Sequence, residues 1–180
     1  MRPLTITTRD LSRAPGMTRT LQLDVPAPAD MATAVIGVPE GAMMHLDLVL
    51  ASVHDGILVS GTAEVPVAGE CVRCLEPVTD TLVVEVSELY LYPEAADRAA
   101  DDGDEEAVEM LRTDGEELDL EQMLRDAVVM SLPFQPVCAP DCPGLCPVCG
   151  VRLADEPGHH HESIDPRFRV LEGYAGDGQT

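Results

Sequence analysis

Aromatic side chains are nearly missing: two Phe, three Tyr and no Trp make up 3% of the 180 residues, while 45% are hydrophobic. A core built under that limit draws on Val, Leu, Ala, Met and Ile, which suits a modest sheet covered by few helices. Positive charge is also scarce, with 11 basic against 33 acidic side chains and a formal charge of -22. Such a surface repels phosphate backbones and excludes broad electrostatic docking on bare RNA. It favours a basic protein partner, and ribosomal proteins are the obvious basic class in a cell, although acidity can also serve solubility alone. Long apolar runs are lacking as well. The opening Met1-Arg2-Pro3-Leu4-Thr5 has no signal-peptide core, and nothing later approaches a membrane span, so a cytoplasmic protein is expected. In a reducing compartment the six cysteines are metal ligands or plain thiols rather than disulfides. No phosphate-binding Gly-rich loop and no convincing nucleophile motif is present, which argues against an enzyme and against a small-molecule substrate.

What is there begins with an irregular lead-in over residues 2–15 and a half-buried strand over 18–25, where Leu21 and Leu23 alternate with polar neighbours. Pro26, Pro28 and Pro39 punctuate a loop. Leu46, Leu48 and Leu50 then recur at period two, and Asp55-Gly56 turns the chain into Ile57-Leu58-Val59, the clearest hairpin signal in the sequence. Further strands over 63–71 and 79–92 flank Cys71-Val72-Arg73-Cys74, giving four or more antiparallel strands. Residues 94–117 are dominated by Asp, Glu, Ala and Gly and read as a mobile acidic segment, which either solvates the chain or mimics phosphates for a basic partner. A helix over 117–132 follows: Leu120, Met123, Leu124, Ala127 and Val128 share a face, Asp119 caps the start, and Pro133 stops it. Beyond it the chain is too rich in Pro, Cys and Gly for regular structure until Asp165-Pro166-Arg167-Phe168, which has the form of a capped short helix.

The tail carries a metal signal. Four cysteines follow as Cys138-x3-Cys142-x3-Cys146-x2-Cys149, with His159, His160 and His161 close behind and Cys71-x2-Cys74 upstream. Cys146-Pro147-Val148-Cys149-Gly150 has the form of a zinc knuckle, whose tight turn aims backbone amides at the sulfurs and needs a residue comfortable at positive φ. Zinc takes four ligands, so six cysteines and two histidines complete two sites. The preferred pairing joins Cys71 and Cys74 to Cys138 and Cys142, and Cys146 and Cys149 to His159 and His161, which leaves His160 pointing away. Two structural Zn2+ ions are then expected. Alternatives stay open: a single site from Cys138, Cys142, Cys146 and Cys149, a buried or redox-active pair at Cys71 and Cys74, or a loose surface cluster of histidines. Both preferred sites are filled by protein ligands, unlike a catalytic zinc, and Glu162 is explained as solvated or supporting.

Several segments occur in order: Gly69-Glu70-Cys71-Val72-Arg73-Cys74-Leu75, Leu118-Asp119-Leu120-Glu121, Leu124-Arg125-Asp126-Ala127, Leu132-Pro133, the run 142–150, and Ile164-Asp165-Pro166-Arg167. Over residues 46–171 this string resembles the YceD-like family, in the form typical of high-GC Gram-positive bacteria. The resemblance implies a role in synthesis, processing or stability of 23S ribosomal RNA, with no known catalytic activity. Family members commonly show Cys-x-Cys where this chain has His159 and His161, so the ligand count is kept while the identity of the histidine pair is open.

The expected fold is α+β: a small antiparallel sheet packed with one main helix over residues 1–133, including the acidic flexible segment 94–117, then a zinc-stapled irregular tail over 134–180. The expected function is a non-enzymatic ribosome-biogenesis factor whose acidic surface engages a basic large-subunit ribosomal protein or pre-large-subunit particle. Direct RNA contact would need a local basic patch, for which Arg152, Arg167 and Arg169 are the candidates. A thiol and zinc redox switch is a third reading.

Overall fold

The computed structural model describes residues 4–11, 15–101, 103, 110–113, 115–161 and 167. Its centre is an antiparallel sheet of β2 (Thr18–Pro26), β3 (Ile36–Gly37), β4 (Met43–Ser52), β5 (Gly56–Glu70) and β6 (Pro77–Leu91). The strands lie side by side as β2-β4-β5-β6. The short β3 joins the same edge of β5 as β4, further along. Pro66 falls between Glu64, the last β5 residue paired with β4, and Ala68, the first paired with β3. A residue without an N–H is tolerated where one partner strand has ended and the next has not begun.

Period-two burial builds the core. Met44, Leu46, Leu48 and Leu50 of β4 are wholly buried, and Val59, Ala63 and Val65 of β5 and Val84 and Val86 of β6 join them. The Asp55-Gly56 turn joins β4 to β5 as the pattern indicates, with Val53 N–H donating to the Gly56 carbonyl at 2.9 Å. The apolar stretches at 57–59 and 63–71 belong to one strand rather than two, since β5 runs unbroken through both.

Three other sequence expectations change. The lead-in contains a strand, β1 (Thr5–Thr7), which pairs with β7 (Glu117–Asp119). The helix expected over 117–132 therefore starts later, as α2 (Glu121–Ser131). Leu118 and Leu120 are buried two residues apart, a strand interval, and the helical spacing begins only at Leu120. Asp119 still serves the helix start, its Oδ1 accepting from Glu121 N–H at 3.0 Å. The third change lies in the acidic segment, where residues Pro93–Asp101 form a helix, α1, that buries Ala95 and Ala96. Propensity for Ala and a favourable Glu94 in the first turn outweigh the charge of this portion. The acidic run at Asp102 and 104–106, the expected terminal helix at 165–168 and Arg169 lie outside the described residues, apart from Arg167 itself.

α2 covers the sheet and buries Met123, Leu124 and Val128 in its core. Arg125 on the same helix donates to the carbonyls of Ala29 (2.8 Å) and Asp30 (2.9 Å) and pairs with Glu121 (2.7 Å), which pins the loop after β2. Tyr90 of β6 donates its hydroxyl to the Asp119 carbonyl at 2.9 Å, joining the large sheet to the small one. The architecture is α+β, with one face of the sheet under α2 and the β5–β6 turn projecting towards the cysteine-rich tail.

Candidate metal centres

The β5–β6 connection, Cys71-Val72-Arg73-Cys74-Leu75-Glu76, is a tight turn closed by two bonds: Cys71 N–H to Glu76 O and Leu75 N–H to Cys71 O, both 2.8 Å. Leu75 sits at φ 63. The tail repeats the construction at Cys146-Pro147-Val148-Cys149-Gly150-Val151. There Cys146 N–H donates to Val151 O and Gly150 N–H to Cys146 O, again at 2.8 Å, with Gly150 at φ 76. Each Cys-x2-Cys pair therefore lies on the same turn, whose fifth residue must adopt the left-handed conformation that glycine takes without strain.

Around the first turn, the ligand atoms of Cys71, Cys74, Cys138 and Cys142 lie within 4.8 Å of one another. The Sγ atoms of Cys71 and Cys142 are 3.8 Å apart and those of Cys74 and Cys138 are 3.6 Å apart. A tetrahedral zinc with Zn–S near about 2.3 Å separates its sulfurs by about 3.8 Å, so the donor set fits that ion. Cys71, Cys74 and Cys142 are buried among Val78, Val137 and Leu145, while Cys138 is exposed.

Ionisation follows from this crowding. Burial opposes a charge on Cys71, but backbone N–H groups of Cys138, Arg73 and Cys74 aimed at its sulfur prevail and bring its pKa down to about 6. The adjoining sulfurs of Cys142 and Cys74 push Cys138 up to about 12. At Cys74 the Glu76 N–H favours the thiolate, yet burial and the Cys71 sulfur outweigh it and the pKa rises. Four sulfurs this close share charge poorly unless a cation lies among them, which is the condition that draws a soft divalent ion.

The second group joins Cys146, Cys149, His159 and His161, again within 4.8 Å. Cys149 Sγ lies 3.2 Å from Nε2 of both His159 and His161, and these two nitrogens are 2.9 Å apart. Backbone N–H groups of Cys149 and Val148 bring Cys146 down to about 6 against the pull of burial. His159 donates from Nδ1 to Glu156 Oε2 at 3.1 Å, which fixes its tautomer with Nε2 turned to the sulfurs. His160 is placed elsewhere, with Nδ1 on the Gly158 carbonyl at 3.1 Å. The structure thus gathers eight of the candidate ligands into the two sets of the preferred pairing and keeps Cys71 and Cys74 apart from Cys146 and Cys149.

Supporting residues less visible in the sequence fasten the tail to the hairpin turn. Arg73 donates to Cys142 O (3.0 Å) and Pro140 O (3.3 Å), while its own carbonyl accepts from Leu145 N–H at 3.0 Å. Val72 N–H reaches Pro136 O at 2.9 Å, and Arg152 forms an ion pair with Glu76 at 2.8 Å. Glu156, three residues before His159, carried a readable spacing for a histidine partner; Arg73 and Arg152 bridge distant segments and left no local sign.

A family model described as large ribosomal RNA subunit accumulation protein YceD matches residues 59–173. The chain belongs to the YceD family. The matched region runs from within β5 through β6, α2 and both ligand groups, so both metal-type clusters lie inside the YceD portion. Uncharacterized proteins of Mycobacterium bovis and Mycobacterium tuberculosis are each 48% identical over 169 residues, covering 94% of this chain and 80% of the relative. One from Mycobacterium leprae is 42% identical over the same length, covering 94% and 76%. No solved structure matches significantly. Among the described residues no helix is long and apolar enough to cross a membrane.

Proposed function

We propose that this protein is a non-enzymatic factor for accumulation of large-subunit ribosomal RNA, that two structural Zn2+ ions hold its tail, and that its acidic surface binds a basic large-subunit assembly partner. The family description supplies the pathway. The observation that carries the mechanism is that each cluster offers four protein donors, Cys71, Cys74, Cys138 and Cys142 in one and Cys146, Cys149, His159 and His161 in the other. A catalytic zinc keeps three protein ligands and an open position, whereas a structural one is enclosed by four. Zinc bound here would supply folding free energy to a segment with little regular structure of its own. The formal charge of -22 makes the resulting surface attractive to cationic protein and unfavourable for phosphate.

A reading as a direct RNA binder has less support. Arg152 is held by Glu76 at 2.8 Å and Asp155 at 3.7 Å, and Arg73 is engaged with tail carbonyls. A redox switch is disfavoured by the burial of Cys71, Cys74 and Cys142.

Elemental analysis together with affinity purification tests the proposal. Two zinc ions per chain and recovery of large-subunit proteins or precursor particles in moderate salt, persisting after nuclease treatment, are expected. Fewer than two ions removes the paired arrangement. Recovery of neither ribosomal protein nor precursor overturns the functional reading.

A further inference from the structure

β6 is an open edge. It pairs with β5 along its whole length, and among the described residues no other strand lies against its outer side. At its end, however, the segment 110–113 already adds to that side: Leu91 N–H donates to Leu111 O (2.9 Å) and Leu91 O accepts from Thr113 N–H (3.0 Å). In an antiparallel ladder a residue turns both backbone groups to the same neighbour, and the next residue turns its groups the other way. The β5–β6 register is continuous, so the odd-numbered residues from Thr79 to Leu89 direct their N–H and C=O outward like Leu91. Thr81 N–H is covered by the Asp80 carboxylate at 2.8 Å, which leaves a window from Val83 to Leu89. Six rises of about 3.4 Å from Val83 to Leu89 span roughly 20 Å, the length of a short strand.

An open groove of about 740 Å³ lies beside that window, between β6 and α2. Met123, Ala127 and Met130 give it an apolar wall, and Met130 is 81% exposed. Its charged lining residues are Glu85, Glu88 and Asp126, all acidic. Carboxylates along an edge commonly guard against self-pairing, and a second copy of a chain with charge -22 is repelled here. The same carboxylates attract a cationic strand.

We infer that the Val83-to-Leu89 edge of β6, with the acidic groove beside it, is a docking site for an extended arginine- or lysine-rich segment of a partner protein, which adds as a further strand. Backbone pairing supplies the affinity, Met130 and its neighbours take an apolar side chain, and the three carboxylates select basic ones. The inference rests on the proposed engagement of a basic assembly partner and narrows it to one face.

The probe is a capped heptapeptide of alternating Arg and Val, titrated into the full chain loaded with zinc and followed by amide hydrogen exchange. Saturable binding is expected, with exchange at Val83, Glu85, Ser87 and Leu89 slowed at least about tenfold, since each gains a hydrogen-bonded partner. Val83→Pro removes one outward donor at an edge position and weakens binding about tenfold or more, the equivalent of about 1.4 kcal/mol. The triple change Glu85→Gln, Glu88→Gln, Asp126→Asn leaves the backbone intact, weakens binding and flattens its salt dependence. Slowed exchange elsewhere, unchanged affinity of a peptide N-methylated at alternate residues, or equal protection by a uridine oligonucleotide overturns the site. If Val83→Pro recovers large-subunit proteins from cells as well as the unaltered chain does, the site is wrong and the proposed function stands. If the peptide docks at β6 but no ribosomal material is recovered, the edge stands and the proposed function falls.

Discussion

Gly144 and Gly150 allow the joint between hairpin and tail to be tested with a built-in control. Both sit in the left-handed region, at φ 78 and φ 76, so alanine at either carries a backbone penalty of about 1–2 kcal/mol. They differ in what the new methyl would meet. At Gly150 nothing lies within 4 Å, and Leu75 occupies the matching position of the first turn at φ 63, so that turn accommodates a side chain. At Gly144 the methyl would stand 2.9 Å from the Arg73 carbonyl oxygen and 3.3 Å from Arg73 Cβ. To make room, the tail must move off the hairpin turn and stretch the Leu145-to-Arg73 hydrogen bond, a further loss of about 1 kcal/mol. Gly144→Ala should therefore lose about 2–3 kcal/mol, and Gly150→Ala about 1–2 kcal/mol. For a chain of this size that is roughly 4–12 °C against 2–8 °C in Tm. Calorimetry of the zinc-loaded protein gives the first comparison, and the rate of zinc transfer to a chromophoric chelator gives the second, since displacing Arg73 also displaces the turn that carries Cys71 and Cys74. Equal losses, or a larger loss at Gly150, would refute the claim that Gly144 is selected by contact with Arg73.

Two further outcomes follow from single residues. Glu156→Gln weakens the partner that orients His159 and should lower metal affinity of the Cys146, Cys149, His159 and His161 group by about 10–100-fold. With cobalt as a spectroscopic substitute, the bands of the four-cysteine group stay unchanged, and parallel weakening of both groups would sink the assignment. His45 is held by Asp24 at 2.8 Å and by Asp47 at 3.3 Å, and the Asp24 hydrogen bond raises its pKa above 6.5 against the opposing effect of desolvation. Because the folded value is the higher one, this pair's stabilisation is fully present below about 6.5 and is lost as pH rises through the folded value. An NMR titration should show a midpoint above 6.5 that falls on Asp24→Asn, and an unmoved midpoint would contradict the pairing.

Period-two hydrophobicity made β4 legible in advance, because Leu46, Leu48 and Leu50 alternate over a sheet with one buried face. Ligand counting went part of the way: tetrahedral coordination limits how eight donors divide, but the choice between the preferred pairing and a single site of Cys138, Cys142, Cys146 and Cys149 rests on the fold, which carries Cys71 and Cys74 to Cys138 and Cys142 across more than sixty residues. Where the reading slipped, a long-range partner decided the outcome. Thr5–Thr7 is too short and polar to declare itself a strand, and it becomes one only by pairing with Glu117–Asp119 across the sequence. That pairing also takes three residues from the start of the expected helix. α1 escaped notice for a different reason, since only Ala95 and Ala96 are buried and two small residues leave almost no apolar stripe. The joint made by Arg73 and Arg152 was invisible because both look like ordinary surface cations until Pro140, Cys142 and Glu76 are seen beside them.

The two clusters are unequal in what they hold. The first draws Cys71 and Cys74 from the β5–β6 turn and Cys138 and Cys142 from the tail, so an ion there would close a loop of more than sixty residues between its members. The second draws all four donors from a short stretch of tail and organises that stretch alone. Its seat depends on the first, because the bonds that place its turn run from Leu145 to Arg73 and from Arg152 to Glu76, both on the hairpin turn. Loss of the first centre would therefore remove the platform on which the second is mounted, whereas loss of the second would leave the sheet, α2 and the first turn with their own bonds intact. That asymmetry explains why the buried, all-sulfur group lies against the sheet while the more exposed histidine-bearing group lies outward.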